Sequence, residues 1–357
     1  MDEAKDTGPV RGRVWRAGVL ESTEFPFAAI SDFLADPDVL VWVDICDPSS
    51  QVLTQLASEL ALDPLAVEDA VSHGERAKVT RYSSHIFLTA YAAVVSPEPP
   101  EPPEPPKPSR QAAADGTAGR PDRRPALHLT RVSAFVLPRG IVTVHASDGF
   151  DMDEVVGRWE ENSDLLKYGV GALVHGLLDM VVDSHFEAVQ VLDDRIEALE
   201  DVLFEEESLS HAVQRQTYGI RKDLVALRRV VLPMREVVNG VLRHRQDRDA
   251  PTELNPWYDD LYDHVLRATE WTESLRDMVT TIFETNLSLQ DARLNTVMKK
   301  LTGWAAIIAI PTAITGFFGQ NVPYPGFQQP FGFELSTISI IVIAGLLYVT
   351  FKRRGWL

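Results

Sequence analysis

Two uncharged stretches at the end of the chain limit what it can fold into more than anything upstream. Leu301 to Phe333 contains no Asp, Glu, Lys, Arg or His, Glu334 follows, and Leu335 to Phe351 is again uncharged before Lys352-Arg353-Arg354. The first apolar helix expected here, 301–318, has 18 residues and the second, 335–351, has 17. Both are close to the shortest runs that cross a hydrocarbon core. One such run could be a buried core helix, but two in tandem between basic clusters point to a membrane hairpin. Arg293, Lys299 and Lys300 precede the first run, the basic triplet follows the second, and the connecting segment 319–334 has neither Lys nor Arg. That asymmetry puts both chain ends in the cytoplasm of a multi-pass cell-membrane protein, with 352–357 as a basic cytosolic tail. No N-terminal stretch joins a basic start to an apolar run, so the expectation is that about 300 residues fold before the membrane is reached.

Those residues are acidic enough to give the chain a formal charge of -18. Such a balance argues against nucleic acid as a partner. An acidic surface commonly serves solubility, and above a pore it would also concentrate cations. The single Cys46 excludes an intramolecular disulfide and a cysteine zinc cluster. The nine His residues form no His-Glu-x-x-His pattern and no Gly-rich phosphate loop is present, so no enzyme signature stands out. A membrane-anchored sensor or scaffold would need only the hairpin and the acidic region, and it stays open beside transport.

Residues 1–166 read as an α/β domain. Leu40 to Ile45 is expected as a buried strand, Gln51 to Leu60 as a helix, and His85 to Val95 as a strand. Leu127 to Leu137 and Gly140 to His145 pair as a hairpin around Pro138-Arg139-Gly140. Between them, 96–125 holds ten of the chain's 23 prolines and can pack no core. It is expected as a disordered insertion, with polyproline recognition of a partner as the other reading.

From about Asp151 apolar residues recur at three and four: Leu173, Leu177, Val181, Phe186, Val189, Leu192, Ile196, Leu199 and Leu203. Long helices are expected from about Lys167 to Glu207, from Ser210 to Asp247, and from Asn255 into the membrane as far as Phe318. The last would be roughly 90 Å long. Segment 167–300 therefore reads as a stalk or funnel, stable mainly when packed on other helices, so several copies around an axis are expected.

On the first membrane helix Asn295, Met298, Thr302, Ala305, Ala309, Thr312 and Gly316 fall on one stripe of small or weakly polar side chains. Trp304, Ile307, Ile308, Ile314 and Phe317 project elsewhere. Small residues are the usual signature of tight helix packing in membranes. Around a symmetry axis the same stripe would set the oxygens of Asn295 and Thr312 as rings that hydrogen-bond the water shell of an ion. Pro311 leaves a carbonyl near Ile307 without its helical donor, either a kink or a pore-facing acceptor.

Several motifs then resemble the CorA family of magnesium and divalent metal transporters. They are Asn295-Thr296-Val297-Met298-Lys299-Lys300-Leu301-Thr302, Pro311-Thr312, Gly316-Phe317-Phe318-Gly319-Gln320-Asn321 and the final Trp356-Leu357. Upstream, Tyr262-Asp263-His264, Arg276-Asp277, Pro233-Met234-Arg235-Glu236 and Asp63-Pro64-Leu65 through Glu68-Asp69 extend the likeness over nearly the whole chain except the Pro-rich insertion. The resemblance implies an α+β membrane protein: a homopentamer with a cytosolic α/β domain, a funnel of long helices, a pore lined by the first membrane helix, and the second outside it. It implies transport of Mg²⁺, with Co²⁺, Ni²⁺ or Zn²⁺ possible.

The family loop is usually Gly-Met-Asn, and Gln320 stands in the middle here. By resemblance, Gly319, Gln320 and Asn321 form the selectivity filter at the outer mouth, where neutral oxygens receive a hydrated cation. Mg²⁺ suits this because it gives up water reluctantly. The related zinc-transporting ZntB branch also varies the central residue. The family places a threonine ring at Thr312, a hydrophobic constriction at Leu301 that would close by dewetting, and an Asn at the inner end at Asn295. Where a second constriction is often Met, this chain has Ala309, so a gate there would be wider. A regulatory divalent site is implied between subunits, from Asp260 of one and Asp69 with Glu68 of the next. Such carboxylates repel unless a cation bridges them.

Overall fold

The computed structural model describes residues 10–72, 74–95, 127–146, 150–203, 211–248, 250–320, 323–324, 326–327 and 329–357. The expected insertion 96–125 and Asn321, expected in the filter, lie outside the described residues. The chain forms two compact units, Met1–Thr280 and Thr281–Leu357.

The first unit is built on a seven-stranded sheet in the order β2-β1-β3-β7-β6-β5-β4. Its strands are β1 (Val10–Arg16), β2 (Val19–Phe25), β3 (Val39–Cys46), β4 (Lys78–Arg81), β5 (Ile86–Val95), β6 (Leu127–Leu137) and β7 (Gly140–His145). Pairing is antiparallel throughout except between β3 and β7. The β6–β7 turn pairs Leu137 with Gly140, so Pro138 and Arg139 alone make the connection. Val95 pairs with Leu127.

Strand alternation builds two cores, one on each face. Leu40 and Trp42 of β3 join Leu88, Ala134 and Ile141 on one side, whereas Val39, Val41, Val43 and Ile45 join Phe87, Phe135 and Val142 on the other. The second face is covered by α1 (Ile30–Ala35), α2 (Ser50–Glu59) and α3 (Pro64–Val71). Ser49 caps α2 through Val52 N–H, and Asp63 caps α3 through Leu65 N–H, with Pro64 at its first turn. The first face is covered by α4 (Met152–Glu161), α5 (Val170–Leu203), α6 (His211–Asp247) and the start of α7 (Asn255–Phe318).

The long helices follow the expected pattern, and α7 keeps the expected ends Asn255 and Phe318. The first begins at Val170 rather than Lys167, because 163–168 wind as a 3-10 turn and Gly169 adopts φ +82°, which ends it. Its expected continuation to Glu207 lies outside the described residues. The expected strands Leu40 to Ile45 and His85 to Val95 appear within one or two residues of β3 and β5.

In the second unit, α7 carries the first apolar run and α8 (Pro330–Arg353) the second. Both are long and apolar enough to cross a membrane, and their apolar windows are almost wholly exposed. The second helix starts five residues ahead of the expected Leu335, because Gln329 is extended and Pro330 presets the first turn. The loop therefore shortens from 319–334 to 319–329.

Candidate conduit face and cation stations

Within the second unit α8 packs on one face of α7. Gly303 is buried there beside Leu357 and Phe351, Trp304 meets Tyr348 with ring centroids 6.4 Å apart, and Ala306, Ile307, Ile310, Ile314 and Phe318 are half-buried. At about 100° per residue, the stripe of Met298, Thr302, Ala305, Ala309, Thr312 and Gly316 stands roughly half a turn away from that face. Each of these, and Asn295 and Leu301 beside them, is exposed. The membrane helix that could have packed on the small residues packs on the opposite side instead. Leu301, at 62 % exposure, is a bulky side chain beside this stripe.

Pro311 sits inside α7 without ending it. The hydroxyl of Thr315 donates to the Pro311 carbonyl at 2.7 Å, and that of Thr312 to the Ile308 carbonyl at 3.3 Å. Both hydroxyl oxygens keep lone pairs free to accept from water. At the helix end Gly319 N–H bonds the Thr315 carbonyl at 2.8 Å, and a Cβ on Gly319 would come within 2.9 Å of that same oxygen. Only glycine fits so close an approach. Gln320 follows, exposed.

The expected regulatory acids lie in the first unit. Asp69, on α3, receives Lys78 Nζ at 2.7 Å, and the same ammonium meets Glu75 at 2.7 Å. Burial opposes the charge on Lys78, but the hydrogen bonds to Asp69 and Glu75 outweigh it and raise its pKa above the usual lysine range. Glu68 is exposed. Asp260, on α7, is also exposed, with His264 Nε2 at 3.8 Å from its carboxylate one turn along. Within one chain, therefore, Asp69 and Asp260 have separate partners.

A group of side chains that could hold a cation, not singled out from the sequence, comes from α5 and α7. Ligand atoms of Asp179, Asp183 and His264 all fall within 4.8 Å of one another. Arg158 of α4 bridges the two acids, with nitrogens 2.7 Å from Asp179 and 2.6 Å from Asp183. His264 Nδ1 is buried and has no hydrogen-bond partner among the described residues. The legible signal was two acids four apart in the otherwise apolar run 177–183. A cleft of about 470 Å³ opens beside Arg158 and Asp179, lined also by Trp159, His175 and Trp257. Burial lowers the pKa of His175 below the usual imidazole range, which favours the neutral ring.

Residues 117–353 match the sequence family described as CorA-like Mg²⁺ transporter protein. The cobalt/magnesium transport protein CorA of Thermotoga maritima is 26 % identical, over 96 % of this chain and 92 % of that protein. The zinc transport protein ZntB of Pectobacterium carotovorum is 24 % identical, over 67 % of this chain and 70 % of its own length. The complete structure of the CorA magnesium transporter from Methanocaldococcus jannaschii superposes with a TM-score of 0.72 at 21 % identity, covering 97 % of this chain and 98 % of that one. The fold it shares is a soluble α/β region, a long helix and two C-terminal apolar helices. The match covers well over half of the chain, and the protein belongs to the CorA-like Mg²⁺ transporter family, whose members are metal ion transporters rather than enzymes.

Proposed function

We propose that the chain assembles as a homopentamer in the cell membrane, with five copies of α7 around an aqueous path for hydrated Mg²⁺, and Co²⁺ or Ni²⁺ as alternative cargo. The observation that carries this reading is the exposed small-residue face of α7, turned away from α8. A hydrated divalent ion needs neutral oxygens and room, and that face offers both without an intramembrane charge. Gly319, Gln320 and Asn321 receive the ion at the outer mouth. Thr312 forms a ring below them, Leu301 dewets to close, and Asn295 stands at the inner end. Segment 167–300 serves as the stalk, and both chain ends lie in the cytoplasm.

Internal Mg²⁺ regulates the path by bridging Asp260 of one subunit to Asp69 and Glu68 of the next, favouring a closed arrangement through tighter binding there. Asp179, Asp183 and His264 form a second station on the same subunit as Asp260.

Liposomes holding the full chain should take up Mg²⁺, with Co²⁺, Ni²⁺ and Zn²⁺ competing in an order that reports preference. Asn321→Ala should abolish uptake in particles that still assemble, and unaltered flux would remove the filter assignment. A Zn²⁺ carrier of the ZntB type is the second reading, favoured by Gln320 at the central filter position. It requires Zn²⁺ uptake that accelerates under an imposed pH gradient. Binding without any flux would leave a sensor or scaffold.

A further inference from the structure

Asp69 already has an ion-pair partner within its own subunit. Lys78 Nζ stands 2.7 Å from it and 2.7 Å from Glu75, and all three side chains are only a quarter to a third exposed. The backbone around this triad is held at several points. Two nitrogens of Arg131 on β6 hold the carbonyls of Ala70 and Ser72 at the end of α3, and the Tyr91 hydroxyl holds the Glu75 carbonyl. Lys78 itself sits in β4, paired with Thr89 of β5. The backbone carrying Asp69 is therefore fixed, and the element free to rearrange is the lysine side chain with its four rotatable bonds.

We infer that Lys78 is a built-in competitor for the regulatory divalent cation: the ion gains Asp69 only by displacing the ammonium, which Glu75 retains. This rests on the assignment of Asp69 to the regulatory station. The geometry supplies each requirement. The ammonium touches the carboxylate the ion needs, a second carboxylate within reach keeps the displaced charge from being stranded, and partial burial keeps the competition from being screened away. Exposed Glu68, next in the chain, adds negative charge to the ion's side of the balance. The same arrangement recurs at the second station, where Arg158 spans Asp179 and Asp183. Each station thus already holds one side-chain cation between two carboxylates before any ion arrives. The consequence is a raised threshold: the station fills only where free divalent cation is abundant, which suits a sensor of a plentiful ion better than a scavenger.

The test uses the full-length protein in liposomes, with Mg²⁺ uptake measured against increasing internal Mg²⁺. Lys78→Met should lower the half-inhibitory concentration by about tenfold, the order expected when one like charge is removed a few ångströms from a divalent ion in a partly screened site. Lys78→Arg, which keeps the charge, should stay near the wild-type value. Lys78→Gln provides a second neutral variant should the Met variant assemble poorly. Glu75→Gln, which removes the alternative partner, should raise the half-inhibitory concentration. An unchanged or raised value in both neutral Lys78 variants, with Asp69→Asn weakening inhibition as expected, would overturn the competitor role and leave the regulatory site standing. Unchanged inhibition in Asp69→Asn would overturn both.

Discussion

The Tyr324 hydroxyl donates to the Phe318 carbonyl at 2.7 Å, tying the segment beyond the first membrane helix back onto that helix's last turn. The ring is held among Phe317, Phe318 and Phe327, with centroids 6.1, 5.2 and 5.3 Å away. Gly319 and Gln320 lie directly beyond the anchored carbonyl.

Removing that anchor should loosen the segment beyond α7 without unfolding the two helices. Tyr324→Phe keeps the aromatic packing and deletes one hydrogen bond, with a net worth of about 1 kcal/mol. Uptake at saturating Mg²⁺ should fall severalfold while the oligomer runs unchanged on size exclusion. Full activity would show that the hydroxyl does not position the loop.

Ala309 lies on the exposed face of α7, away from α8. If that face lines the conduit, Ala309→Met narrows it with a long apolar side chain, and flux should drop at least tenfold while thermal stability barely moves. If the face instead packs against another helix, the bulkier residue should disturb assembly, and the two outcomes separate on a gel-filtration profile.

Gly240 of α6 lies hard against Val79 of β4, so an added Cβ would run into its Cγ1 methyl. Gly240→Val should therefore destabilise the first unit by about 1–3 kcal/mol through overpacking. A lowered thermal midpoint of the purified protein checks this. Val79→Ala in the same chain should recover part of the loss by making room.

His185 of α5 is buried, with Nε2 2.7 Å from the Tyr91 carbonyl. Burial pushes its pKa down to about 4, and the Tyr91 contact offsets only part of that. The unfolded chain binds the proton at about 6.5, so folding stability is fully present above that pH and declines as pH falls toward 4. The decline attributable to this ring is about 3 kcal/mol. Urea unfolding followed from neutral pH to about pH 4.5 should show a shallower acid slope in His185→Gln than in the parent.

What the sequence revealed followed from how local each signal was. The strands 127–137 and 140–145 fall where expected because two apolar runs meet a Pro-Arg-Gly turn, all within one short stretch. Strands β1, β2 and β4 were not resolved individually. Residues 10–16 mix arginines with apolar side chains, β2 is largely exposed at one edge of the sheet, and β4 has four residues at the other. The small-residue stripe was legible because helical periodicity is fixed by backbone geometry alone. Its freedom from α8 was not, since that depends on which face the second helix chooses. Asp179, Asp183, His264 and Arg158 come from α5, α7 and α4, and only tertiary packing brings them together.

Val95 and Leu127 are direct cross-strand partners, so the sheet itself fixes the separation of the two ends of the chain between them. Closing a longer flexible loop across a fixed gap costs only about 0.6 kcal/mol for each doubling of length. Lengthening the chain between the two strands should therefore cost little stability. Descendants of this gene could trade, trim or expand what is carried there at little thermodynamic expense, and a fluorescent reporter inserted between the two strands should travel with the protein without disturbing its sheet.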